Sequence, residues 1–114
     1  MRKVAVVIRG SPLNSTKNGE ALRMALSLTL KENQVSVFFL EDGAYTLLPI
    51  SSQAVGFWDY RQFLDSLKEL SVPLIVEKEA VENRGLTNLE MEPRLLPRQE
   101  IFHELAQCWA VIGF

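Results

Sequence analysis

The sequence predicts an α/β domain organised on a mainly parallel sheet, and three observations lead there. Short β-branched apolar runs recur along the chain, VAVVI at 4–8, QVSVFFL at 34–40 and VPLIV at 72–76. Segments with apolar residues at helical spacing lie between them, and glycine, proline or acidic residues close the runs. Strands alternating with helices imply right-handed βαβ crossovers, so the sheet is expected to be parallel and covered on both faces.

The first run is apolar throughout, as a strand buried on both faces requires, and Arg9-Gly10-Ser11-Pro12 stops it. Ser15, Thr16 and Asn18 offer cap oxygens for a first helix over 20–30, whose polar positions Glu20, Arg23, Ser27 and Lys31 form one narrow stripe. A helix so apolar elsewhere needs cover on more than one side. The second strand, 34–40, ends at Glu41-Asp42-Gly43, and residues 44–48 are expected to make a short helix before Pro49. Residues 49–57 are apolar without a period. Asp59 is expected to cap a helix over 60–70, with Tyr60, Phe63, Leu64, Leu67 and Leu70 on one face.

A third strand over 72–76 tolerates its proline near the start, where a ladder donor can be spared. A short helix follows over 77–83, with Arg84 in its last turn and Gly85 as its stop. The alternation at 89–92 suggests a short strand limited by Pro93. A last helix over 98–107 and a closing strand over 109–114 bring the sheet to about five strands in a single domain, 1–114.

Composition narrows the function classes. Apolar residues are 47% and charged residues 23% of the 114 residues, an ordinary globular mixture. A net charge of -2 gives no sequence-wide basic field, so nucleic acid is not an expected partner. No apolar run is long enough for a membrane span or signal core, and the lone Cys108 forms no internal disulfide, so a cytoplasmic protein is expected.

Ligands of parallel α/β folds collect beyond the carboxyl ends of the strands. Arg9, Lys17, Asp42, Gly43 and Glu77 follow strands one to three and form the candidate pocket. Glu77 opens a helix, where backbone amides and the helix dipole favour negative charge. It reads either as a solvated first-turn residue, the simpler alternative, or as a contact to a ligand or partner. The loop over 9–18 lacks the P-loop spacing and reads as a capped turn, with anion binding as the alternative. Cys108 is a lower-ranked candidate thiol. It precedes the last strand, so parallel topology puts it at the opposite end of the sheet, where a buried structural cysteine is expected. His103 reads as a helix-surface residue, and nothing in the sequence builds a metal or cofactor site.

Three segments, VSVFFLEDGAYTLL at 35–48, VEKEAVENRGL at 76–86 and AVIGF at 110–114, resemble the DsrE/DsrF-like family of sulfur-relay proteins. The resemblance implies a three-layer α/β/α architecture, assembly into homo- or hetero-oligomers and, in active members, a persulfide carried on a cysteine ahead of the helix that ends in Arg-Gly. Counted back from Arg84-Gly85, that position holds Glu77. A carboxylate cannot carry a sulfane sulfur, because persulfide formation needs a thiolate nucleophile. The resemblance therefore implies an accessory, non-catalytic subunit without a cofactor, acting through oligomerisation and docking. A small-molecule or anion-binding protein using the pocket around Glu77, and sulfur transfer through Cys108, are the alternatives. The apolar residues Leu47, Leu48 and Ile50, with Val55, Phe57 and Trp58, are expected either in the core or against another subunit.

Overall fold

The protein is described from a computed structural model covering residues 1–13, 16–49 and 60–114. Its strands are β1 (Lys3–Ile8), β2 (Gln34–Phe39), β3 (Leu74–Glu77), β4 (Arg94–Leu96) and β5 (Ala110–Gly113). Its α-helices are α1 (Lys17–Leu30), α2 (Arg61–Glu69), α3 (Lys78–Asn83) and α4 (Arg98–Leu105), and a 3-10 helix spans Glu41–Leu47. The strands form one sheet in the order β4-β3-β2-β1-β5, with every neighbouring pair parallel.

Alternation along the strands divides the core into two layers. Val6, Ile8, Val37, Phe39 and Val76 pack with Leu22 and Ala25 of α1 and with Leu64 and Leu67 of α2. Ala5, Val7, Phe38 and Ile75 pack on the other face with Ile101 of α4. Adjacent Phe38 and Phe39 thus serve opposite layers, each at most 2% exposed. Burial of a phenylalanine contributes about 1.5–3 kcal/mol, so this pair fastens both helical layers to β2.

Three helices close in the same way. A residue with positive φ follows the helix, and the amide after it bonds the carbonyl five residues back. Glu32 (φ 67), Ser71 (φ 60) and Gly85 (φ 60) hold that conformation. The bonds are Asn33 N–H to Leu28 O, Val72 N–H to Leu67 O and Leu86 N–H to Val81 O, at 3.2, 3.0 and 3.0 Å. Gly85 is the stop expected from sequence. Glu32 and Ser71 adopt the conformation without glycine, so composition did not mark them.

Several local expectations shift. The helix expected over 44–48 begins at Glu41 as the 3-10 helix, whose entry carries Glu41 at φ 53. The strand expected at 89–92 lies instead at Arg94–Leu96, because Met91 (φ 71) and Glu92 (φ 45) leave the extended conformation before Pro93. Thr16 holds the N-cap position of α1 without a side-chain cap bond. Asn18 is not a cap: it lies inside α1, 2% exposed, and its Nδ2 donates to Gly10 O at 3.0 Å and to Thr46 Oγ1 at 2.7 Å. Leu47 is in the core. Ser15, Ile50, Val55, Phe57, Trp58 and Asp59 lie outside the described residues.

Candidate functional site

Glu77 closes β3 in register with Leu96 of β4, then holds the N-cap position of α3 in an extended conformation. This junction carries its carboxylate inward. Glu77 is 2% exposed, which corrects the expectation of a solvated first-turn residue. The reason is tertiary: α4 and the 3-10 helix converge on this strand end and supply partners that local sequence does not contain.

Those partners account for both carboxylate oxygens. Oε1 accepts the Glu41 backbone N–H at 3.0 Å, and Oε2 lies 3.4 Å from Arg98 Nε. Arg98 Nη2 also pairs with Glu41 Oε1 at 3.2 Å. The Arg98 amide, at the start of α4, donates to Glu79 at 3.0 and 3.2 Å to its two oxygens. One arginine therefore joins the 3-10 helix, the end of β3, α3 and α4. A buried charge is tolerated when it is paired and hydrogen-bonded, and Glu77 satisfies both conditions.

Asp42 lies beside this cluster and accepts bonds from Arg84 Nε and Nη2 at 3.1 and 2.9 Å. Gly43 marks a close approach between backbones: a Cβ there would stand 1.9 Å from Ile8 O. Only glycine lets the 3-10 helix sit against the end of β1. The Glu41 backbone costs about 1–2 kcal/mol in its left-handed conformation. Its amide bond to Glu77 and its side-chain pair with Arg98 offset that cost.

The five expected pocket residues thus divide between two places. Glu77, Asp42 and Gly43 gather at the ends of β2 and β3, with Glu41, Glu79, Arg84 and Arg98 joining them. Arg9 and Lys17 belong to the β1 and α1 junction, both exposed, where the Arg9 amide bonds Phe114 O at 3.1 Å. The Gly43 approach to Ile8 and the Leu40 N–H bond to Ile8 O, at 2.9 Å, are backbone links between these places. Arg98 is the central residue of this candidate site that the sequence-based set did not contain. Its signal was a basic residue opening a helix, against the usual dipole preference, directly after Pro97.

Cys108 lies at the other end of the sheet, as parallel topology requires. The following Trp109 amide bonds Lys3 O at 2.8 Å, where β1 begins. The thiol lies 3.6 Å from Glu104 O and is part-buried. Burial pushes its pKa up, opposed by the nearby Lys3 charge and reinforced by Glu104. It lines a cleft of about 210 Å³ with Lys3, Phe38, Ile75 and Arg94. His103 is exposed on α4, and among the described residues no acidic, histidine or cysteine group is placed to hold a metal.

The model of the DsrE/DsrF-like family matches residues 2–114. The chain belongs to the DsrE/DsrF-like family. Among solved structures, the YchN protein from E. coli superposes with a TM-score of 0.87 at 23% identity, covering 100% of both chains. That likeness establishes a shared DsrE-like fold. No curated protein gives a significant sequence match. Among the described residues of this family member, no helix is long and apolar enough to cross a membrane.

Proposed function

We propose that this DsrE/DsrF-like chain is an accessory subunit of a sulfur-relay assembly, acting through oligomerisation and protein docking in the cytoplasm without carrying sulfur itself. One observation supports it above all. At the position where the family resemblance places a sulfur-carrying cysteine, the chain has a buried carboxylate, Glu77, held by Arg98 and the Glu41 amide. A carboxylate lacks the nucleophilic sulfur that persulfide formation requires, and both of its oxygens already have protein partners.

The single thiol of the sequence does not favour sulfur relay. Cys108 is at the opposite end of the sheet, and its raised pKa lowers the thiolate fraction available for exchange. A ligand pocket centred on Glu77 would require displacement of Arg98, so the accessory reading is the better supported one.

The test is exposure of the native protein to a low-molecular-weight persulfide donor, followed by intact-mass measurement. No mass increase of one sulfur atom should appear under conditions that load a cysteine-bearing family member. Efficient loading of this chain, abolished by Cys108→Ser, would overturn the reading in favour of transfer through Cys108.

A further inference from the structure

The polar stripe of α1 is exposed and borders a groove. Glu20, Arg23, Met24 and Lys31 border an open groove of about 780 Å³ whose other wall is Ile112 and Phe114, on and just beyond β5. Strand β5 ends the sheet, with β1 on its one paired side. The groove therefore runs along an edge, between the outermost strand and α1, which packs on β1 and β2.

The side chains along α1 have an order. Glu20 and Lys31 stand at its two ends, 11 residues apart, which on a helix rising 1.5 Å per residue is about 16 Å. Met24, 39% exposed, and Ser27 lie between them. Residues 20, 24, 27 and 31 differ by three or four positions, so they share one face. None of Glu20, Arg23 and Lys31 forms an ion pair with another described residue.

This arrangement is complementary to itself when reversed. We propose that a second copy of this chain docks on the α1 and β5 groove, the two α1 helices running antiparallel about a twofold axis near Ala25 and Leu26. Glu20 then faces the partner's Lys31, and Lys31 faces the partner's Glu20. Met24 sits near the axis opposite the partner's Ser27, where a small side chain leaves room for a long one. Antiparallel helices approach to 8–10 Å between axes, a distance that closes the polar stripe and covers the exposed methionine. A parallel arrangement would oppose Glu20 to Glu20 and Lys31 to Lys31, so the charges choose the direction.

The proposal rests on the oligomeric half of the accessory reading and specifies the face used. Sedimentation of the full chain at increasing concentration, in low salt, measures self-association for wild type, E20K, K31E and the double variant E20K/K31E. Both substituted positions are exposed, and circular dichroism checks the fold. Each single reversal puts like charges opposite each other twice and is expected to weaken association about tenfold. The double variant should recover it. A monomeric wild type, or single reversals that leave association unchanged, would overturn the proposal, as would failure of the double variant to recover. An oligomer indifferent to these charges would leave the accessory reading standing on another face, so the two ideas fail separately.

Discussion

Arg98 reaches across from the first turn of α4 to lie 3.4 Å from the carboxylate of Glu77, a residue 2% exposed at the end of β3. The contact joins the two helical layers of the domain, since α4 packs on one face of the sheet and α3 contributes to the core on the other. Its geometry makes Glu77 an internal anchor of the strand end, with consequences for stability and for any chemistry introduced there.

Removing both partners should therefore cost less than the sum of removing each. Arg98→Ala leaves Glu77 with the Glu41 amide alone and is expected to destabilise the fold by about 2 kcal/mol, tempered by the exposure of Arg98 to water. Glu77→Gln keeps the amide contact and should cost about 1 kcal/mol. In a double-mutant cycle followed by urea denaturation, a coupling of about 1 kcal/mol is expected. Strict additivity would show that the two groups do not interact.

A thiol placed at position 77 should differ in acidity from the native one. In E77C on a Cys108→Ser background, the Arg98 charge and the Glu41 amide lie beside the thiol, so the pH midpoint of iodoacetamide alkylation should be lower than that of wild-type Cys108. Wild-type Cys108 should show a midpoint above the ordinary thiol range, because burial opposes its ionisation. The raised Cys108 pKa also contributes to folding stability at low pH. The folded state holds the Cys108 proton to higher pH than the unfolded chain, so this contribution is lost as pH rises from the unfolded pKa through the folded one. Reversed order of the two alkylation midpoints would contradict both environments.

Gly43→Ala should be among the costly single-methyl changes in the molecule. The added Cβ would meet the Ile8 carbonyl at 1.9 Å, a backbone atom unable to rotate away. The 3-10 helix must then withdraw from β1, and a loss of about 3 kcal/mol is expected in thermal or urea unfolding. Gly10→Ala is the control. A Cβ there meets nothing within 4 Å, and its cost should be well under 1 kcal/mol.

Asn18→Ala should uncouple the loop after β1 from the 3-10 helix. Asn18 Nδ2 donates to both Gly10 O and Thr46 Oγ1, and Thr46 is 1% exposed. Losing these bonds inside the core is expected to cost about 1–3 kcal/mol. Faster amide exchange in the 3-10 helix than in α2 would locate the effect. Uniform loss of protection would instead indicate global destabilisation.

The sequence by itself determined the class of fold. Runs such as VAVVI and QVSVFFL, separated by helical periodicities, specify strands buried on both faces and hence a parallel sheet, because period and burial are local properties of the chain. It also located Gly85 as a helix stop and placed Cys108 at the opposite end of the sheet from Glu77, since parallel strands leave that choice no freedom. The family resemblance and the candidate positions Glu77, Asp42 and Gly43 were legible for the same reason.

Only tertiary structure decided what Glu77 does. Its burial depends on Arg98, 21 positions later, and on a Glu41 amide 36 positions earlier, turned inward by a positive φ. No local pattern encodes those partners, so an acidic residue opening a helix looks solvated when read alone. The same holds for Asn18, which resembles a cap until a hydroxyl from Thr46 arrives from another element. Hydrophobic periodicity records which side of an element is buried. Which polar groups meet once it is buried depends on distances across the fold, and these exist only after the strands and helices have packed.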